Sequence, residues 1–545
     1  MSQFDVDWVV VGSGFGGSVS ALRLAEKGYS VKVLECGRRF HDEDFPKSTW
    51  DLRRYFWAPR MGLRGIFRLT PFKDVSVVSG CGVGGGSLGY ANTLYVPPSE
   101  FFRDPQWREL ADWESELAPH YAEAQRMLGV VVHDNDDPAD QLLREFGEHL
   151  GVEDTYRKTP IGVFLGEPGK TVPDPYFGGE GPDRTGCQQC GRCMVGCPHG
   201  SKNTLVKNYL WLAERRGAEV SADRTVTEIR PLGAADGSEG YAVRSERSGL
   251  LPGRGRTTLR ARGVIVAAGP LGTNKLLQRC RLGGALPRIS SRLGELVRTN
   301  SEMILAVTVP EDYPDDLTRR VAITSSIYPD PHTHIETVTY GKDGNSMSML
   351  YTLMVGDGTK VTRPLKLLGQ ILRHPGRFAK VLFPRNWSRR TIILLVMQTL
   401  DNAIALRPTL KRSGDVRLQT EQDPEKPNPT FIPVANEAAT WLAERTGGIA
   451  QSSTTEALMN IPTTAHILGG AVIGGSPEDG VVDSGQRVFG YENLLVCDGA
   501  AVPANVGVNP SLTITALAEH AMSEIPAKGE SEPRHPEAAR PVPLG

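Results

Sequence analysis

Two arrangements in this chain combine residue types and spacing that can do chemistry. Gly12-x-Gly14-x-x-Gly17 follows directly on the β-branched run Val9, Val10 and Val11. It opens a stretch with apolar residues at helical spacing, Ala21, Leu22 and Ala25, that stops at Gly28. Glycines so placed allow a tight turn, close approach of backbone amides to a pyrophosphate, and close packing of the next helix on the strand. The positive end of that helix favours the anion. A second strand, 30–34, ends in Glu35, whose carboxylate stands where a ribose hydroxyl pair would be held. Strand, glycines, helix, stop, strand and acid in this order define a dinucleotide-binding unit, without deciding between a flavin and a nicotinamide. The second arrangement is Cys187-x2-Cys190-x2-Cys193-x3-Cys197-Pro198. Thiolates at such intervals converge on one point, and the spacing matches the bacterial iron–sulfur run. No second run exists to complete a ferredoxin-like pair of clusters. The residues therefore leave open an iron–sulfur cluster, a zinc or structural thiol knot, and free or disulfide-linked cysteines.

The elements that must position these groups recur along the chain. The segment from Ser79 to Leu88 is too glycine-rich for a helix or strand interior, so it reads as a loop passing along the cofactor. Residues 262–269, Arg-Gly-Val-Ile-Val-Ala-Ala-Gly, read as a second buried parallel strand, followed by a helix over 273–280. Its carboxyl end falls at the crevice where open α/β sheets bind ligands. Near the C-terminus a strand runs into Asp498-Gly499, and Pro510-Ser511 opens a helix to about Glu524, with proline in its favoured first-turn position. Such a helix start stabilises anionic charge, and a reduced flavin is an anion. Helical pieces are expected at 109–128, 141–150 and 203–217, and strands at 218–230. Alternating stretches at 302–309 and 334–339 read as strands of a half-buried, mainly antiparallel sheet in a second lobe.

Composition narrows the function. At 545 residues with 39% hydrophobic content the chain is too long for one core. Lys and Arg total 61 against 63 Asp and Glu, which gives no global argument for nucleic-acid binding. Four clustered and four scattered cysteines do not resemble a secreted disulfide framework. With no signal-like or membrane-spanning run, the expected location is the cytoplasm. Peripheral membrane contact is expected from two basic, acid-poor stretches, 52–73 and 358–400, in which Lys and Arg are interleaved with Leu, Phe, Tyr and Trp.

The blocks GSGFGG (12–17), Glu35, GCGVGGGSL (80–88), VAAG (266–269), HILGG (466–470), YENLLVCDG (491–499) and VGVNPSLTITALAE (506–519) together resemble the glucose-methanol-choline oxidoreductases, and within them the bacterial cholesterol oxidase branch. The resemblance implies FAD as cofactor and an α/β architecture. A discontinuous Rossmann-type FAD domain, 5–98, 200–290 and 462–525, would carry an inserted α+β substrate domain, 99–199 and 291–461, on a mainly antiparallel sheet. Residues 526–545 are expected to form a disordered tail. It implies cofactor contacts from Gly12, Ser13, Gly14, Phe15, Gly16, Gly17, Glu35, Gly84, Gly85, Gly86, Ser87, Asn92, Val226, Ala268, Gly269, Asp498, Gly499, Asn509 and Pro510. The chain departs from the relatives at Gly89-Tyr90-Ala91-Asn92, where they carry an asparagine-glycine pair. His466 would orient the substrate hydroxyl or take its proton, Asn509 would hydrogen-bond that hydroxyl, and Glu336 would act as a base that also moves a ring double bond. The substrate implied is a hydrophobic alcohol, a 3β-hydroxysteroid such as cholesterol. Two electron routes stay open: oxygen, or a cysteine-bound cluster passing electrons to a protein or quinone. A non-catalytic flavin-binding protein is the third reading, and the presence of both His466 and Asn509 counts against it.

Overall fold

Four successive apolar residues without polar alternation, Trp8 to Val11, suit a strand covered on both faces, and all four are buried. Their strand, Val6–Val11, is central in a seven-stranded sheet of a computed structural model that describes residues 3–251, 253–412 and 414–530. It pairs in parallel with Val31–Leu34 on one side and Thr257–Val266 on the other. Glu219–Ser221 extends the parallel part beyond Val31–Leu34. Tyr241–Arg247 and Arg224–Pro231 continue antiparallel from Thr257–Val266, whose last residues pair in parallel with Leu494–Val496. The registers set Val11 beside Val266 and Val266 beside Val496. The turns that follow these three strands therefore emerge along one sheet edge, where ligands bind in folds of this type.

Helix Phe15–Glu26 packs on helix Ser511–Ser523, and Arg23 clamps the pair by donating to both carboxylate oxygens of Glu519 at 2.7 and 2.8 Å. A second seven-stranded sheet, wholly antiparallel, runs in the order Tyr351–Leu353, Ile449–Ser453, Met303–Thr308, Thr391–Gln398, Thr333–Val338, Ile323–Asp330 and Arg157–Lys158. Helices Pro138–Leu150 and Pro433–Thr446 cover it. The fold class is thus α/β with a Rossmann-type sheet and a second, antiparallel sheet. A short parallel pairing of Thr463–Thr464 with Ser76–Gly80 ties the chain entering the C-terminal block to the strand before the glycine loop.

Three expectations need correction. The substrate sheet does not take in the residues directly after 99: Phe101, Trp107 and helix Trp113–Leu128 belong to the core around the first sheet. The reason is that Trp113, Leu117, Tyr121 and Ala124 form an apolar stripe that seats on helix Ser511–Ser523. The expected helix over 203–217 is shorter, Tyr209–Arg215, because the Asn208 side chain accepts the Tyr209 amide at 2.6 Å and caps it there. Of the expected disordered tail, residues 526–530 hold contacts: the Lys528 amide donates to Lys27 O at 2.9 Å and its ammonium pairs with Asp7 at 2.7 Å. Residues 531–545 lie outside the described residues.

Candidate active site

At the shared sheet edge three turns converge. Gly12 to Gly17 leads into helix Phe15–Glu26, and a Cβ on Gly16 would lie 1.7 Å from Cys497 O, so only glycine lets this helix reach the C-terminal turn. The 3-10 turn Gly85–Leu88 crosses the first turn so closely that a Cβ on Gly85 would stand 2.6 Å from Gly14 Cα. Ser13 joins the pieces: its amide and hydroxyl donate to Glu35 Oε2 at 3.1 and 2.8 Å, while its Oγ accepts the Gly84 amide at 3.1 Å. Ser87 Oγ donates to Gly84 O at 2.7 Å and accepts the Leu205 amide at 3.0 Å, so it shapes the loop. Asp498 works similarly, accepting from the Gly269 amide, Thr273 Oγ1 and the Ala500 amide at 2.8, 2.5 and 2.7 Å. Burial pushes its carboxyl up to about 6. It locks Ala268 and Gly269 onto Gly499 and the turn that leads to Pro510.

Four observations fit a dinucleotide lying along this edge. A Cβ added to Gly14 or to Gly269 meets no atom within 4 Å, so both backbones face open space. Asn92, held at φ 71° and fully buried, has no partner for either amide atom. Helix Ser511–Ser523 begins after Pro510 with no side-chain cap, which leaves its first amides for an anion. A register shift at Val226 bends strand Arg224–Pro231 out of its ladder.

Of the three groups expected from the sequence to act on substrate, Asn509 and Glu336 are in contact, and Glu302 links His466 to them. Asn509 Nδ2 donates to Glu336 Oε2 at 3.3 Å, and Asn509 Oδ1 is left without a partner. Glu336 comes from strand Thr333–Val338 and is completely buried, which pushes its carboxyl up to about 8; the bond from Asn509 pulls it back and the charge of Glu302 adds to the rise. His466 shares this region through Glu302. The Glu302 Oε2 accepts the Ala465 amide at 2.9 Å, and its Oε1 lies in ion-pair contact with His466 Nδ1. With Nδ1 facing a carboxylate, the ring proton belongs there and Nε2 is the free nitrogen.

Sequence reasoning passed over Glu302 and His334. Glu302 is the acid directly before the mostly apolar strand Met303–Thr308, and that contrast was the available signal. His334, two residues from Glu336 and so on its face of the strand, stacks on Tyr328 at 4.5 Å and meets Tyr95 edge-on at 5.0 Å between ring centroids. Burial, with His466 nearby, pushes it down to about 3, so it stays neutral. These rings give the site an aromatic wall.

The four clustered cysteines, Cys187, Cys190, Cys193 and Cys197, line one small cavity. Burial and the neighbouring thiols push Cys187 up to about 12, and burial pushes Cys193 up to about 11. Of the scattered cysteines, Cys36 and Cys81 lie with their sulfurs 3.6 Å apart beside Glu35.

A nucleotide cradle on a Rossmann-type edge, with a buried asparagine–glutamate pair and a half-buried histidine held by a second glutamate, fits a flavin-dependent alcohol oxidoreductase. Comparison with known proteins agrees. The family models described as GMC oxidoreductase match residues 181–295 and 402–518, and a model of an NAD(P)-binding Rossmann-like domain matches residues 10–45. A cholesterol oxidase of Mycobacterium tuberculosis is 52% identical over 98% of this chain and 93% of its own length. One from Acinetobacter baumannii is 47% identical over 97% and 96%. The crystal structure of pyridoxine 4-oxidase from Mesorbium loti shares the fold, with a TM-score of 0.60 at 15% identity over 95% of this chain and 99% of that one. The chain belongs to the GMC oxidoreductase family, and its cofactor is FAD.

Proposed function

We propose that this enzyme oxidises the ring hydroxyl of a sterol such as cholesterol to a ketone, shifts a ring double bond, and works at an anionic lipid surface. The observation that carries the chemistry is the buried Asn509–Glu336 hydrogen bond, with Glu302, whose charge is felt at Glu336, in contact with the half-buried His466. FAD, when bound, supplies the hydride acceptor for the carbinol carbon. His466 takes the hydroxyl proton on Nε2, with Glu302 as the positioning residue that fixes the tautomer. The second N–H of Asn509 donates to the hydroxyl oxygen and fixes the angle at which the carbinol hydrogen faces the cofactor. Glu336 removes a proton from the carbon beside the new carbonyl and returns it two carbons further along the ring. A carboxyl near 8 can do both at neutral pH. The cholesterol oxidases at 47 and 52% identity support the sterol as substrate and oxygen as acceptor.

The surface part rests on helices Thr362–Arg373 and Pro375–Leu382. They pack together at the edge of the second sheet and leave Leu365, Leu368, Leu372, Leu382 and Phe383 at 51–76% exposure. Met349 and Leu350, on a turn packed against the second helix, extend the face. Lys360, Lys366, Arg373, Arg377, Lys380 and Arg385 are exposed around it, and residues 358–400 contain no Asp or Glu. A sterol is insoluble in water, so an apolar face ringed by cations suits delivery from a bilayer, each basic side chain adding about 1 kcal/mol near anionic lipid. No described helix is long and apolar enough to cross a membrane. In the other basic stretch, 52–73, Tyr55 and Trp57 are buried and Phe56 and Phe67 pack on the core around Tyr55, while Leu52, Met61 and Leu69 stay exposed. Of its arginines, Arg64 pairs with Asp223 and Arg68 donates to the sulfurs of Cys36 and Cys81, while Arg53 and Arg60 are exposed. The test is turnover of cholesterol in air: a steroid ketone with an equal amount of hydrogen peroxide supports the proposal, and no ketone from any sterol overturns it.

A further inference from the structure

The cysteine cavity has no part in alcohol oxidation as derived above, yet it is built like a ligand site. Cys187, Cys190, Cys193 and Cys197 all line it, from a loop whose only regular piece is the 3-10 turn Arg192–Val195. The Gln189 amide points at Cys187 Sγ from 3.4 Å, the kind of donor that stabilises a thiolate sulfur. Among the described residues, the three-ligand group of His, Cys, Asp or Glu atoms within 4.8 Å of one another is Glu35, Cys36 and Cys81; no three of the cavity sulfurs stand that close. A tetrahedral zinc at about 2.3 Å from each sulfur holds its four thiolates about 3.8 Å apart. The cavity sulfurs are spread wider, as the corners of a larger body require. A buried amine lines the same wall. Lys202 is 2% exposed, lines the same cavity, and donates its three hydrogen bonds to carbonyls, Leu88 O, Tyr90 O and Cys193 O at 3.1, 2.7 and 2.9 Å. All three partners are carbonyls and none is a carboxylate.

We propose that the four cysteines bind an iron–sulfur cluster of the four-iron type. A cluster ligated by four thiolates is an anion, and the Lys202 amine on the cavity wall, bonded to three carbonyls, and the Gln189 amide on Cys187 Sγ are the donors placed around it. The same lysine joins the cavity to the cofactor loop through Leu88 and Tyr90, and the Tyr90 ring meets Phe15 of the nucleotide-binding helix at 5.5 Å between centroids. The cluster therefore stands beside the cradle. Held there by Cys187, Cys190, Cys193 and Cys197, a cluster would supply a one-electron path from the cofactor side to a protein acceptor when oxygen is absent. This role rests on the FAD reading; the cluster itself does not.

The experiment is metal, sulfide and flavin analysis of full-length holoenzyme purified without oxygen, then reconstituted with ferrous iron and sulfide and desalted. About four iron and four acid-labile sulfide per chain are expected, with a paramagnetic signal after chemical reduction. Cys193→Ala should lose at least half of the iron while extracted FAD per chain stays constant, and Cys280→Ser, outside the cavity, should lose none. A chain that takes up no iron under reconstitution, or that holds one zinc in its place, overturns the proposal. Because FAD is counted separately, absence of flavin with iron present would instead strike the cofactor reading.

Discussion

His466 Nδ1 lies in ion-pair contact with Glu302 Oε1, on a carboxylate whose other oxygen accepts the Ala465 amide at 2.9 Å. The glutamate is thus fixed to the backbone beside the histidine it orients, and the ring has no freedom to present Nδ1 to substrate. Glu302→Gln keeps the size and the amide bond but removes the charge. It should slow substrate-driven flavin reduction at least tenfold with FAD retained, and shift the acid limb of the rate profile, because the imidazolium formed in the reaction loses its counter-charge. A rate and pH profile equal to the parent enzyme's would show that Glu302 only packs.

Gly14→Val should abolish FAD retention while the chain still folds. The first carbon of the new side chain meets no protein atom, so the space it fills is the one the cofactor needs. Flavin absorbance after desalting, alongside a thermal melt, checks this; a folded and fully yellow variant would contradict the cradle.

The exposed face over 361–383 should bind vesicles containing anionic lipid at low salt and release them at high salt. Leu368→Asp with Leu372→Asp should lower the co-sedimenting fraction severalfold and leave turnover of detergent-dispersed sterol unchanged, since both side chains are exposed and away from the catalytic residues. Equal sedimentation of parent and variant would contradict the docking face.

Glu336 is raised by burial from its ordinary 4.5 to about 8. Between those values the folded enzyme holds a proton that the unfolded chain has lost, so this residue makes stability fall as pH rises through the window. Its work as a base has the opposite sense: isomerisation should rise with pH to a plateau above about 8. Glu336→Gln should remove that limb and release the unshifted ketone. Product analysis by ultraviolet absorbance of the conjugated enone reads this directly, and undiminished enone from the variant would place the proton transfer elsewhere.

Much of this was legible because local chemistry fixes it. Gly12 to Gly17, the strand into Gly269 and the turn at Asp498 each carry their own signal, and the parallel registers that align Val11, Val266 and Val496 follow from three apolar runs ending in small residues. The pairing of Glu302 with His466 was not legible, since 163 residues separate them and no spacing rule connects a strand acid to a loop histidine. The two basic stretches look alike in composition, yet one buries its aromatic residues and the other leaves its leucines in solvent. Tertiary packing decides that difference. For the cysteines, the spacing was the signal, and the fold brings all four to the wall of one cavity.

The central claim is that His466 and Asn509 act together on an alcohol facing FAD. Its most direct test is anaerobic stopped-flow bleaching of the flavin with cholesterol, set beside glucose and a short-chain alcohol, in the parent enzyme, His466→Ala and Asn509→Ala. The expected result is rapid bleaching by the sterol in the parent, slowed by roughly 10²-fold or more in each variant at unchanged FAD content. Equal bleaching rates in all three proteins, or no bleaching by sterol where the sugar reduces the flavin, would contradict it.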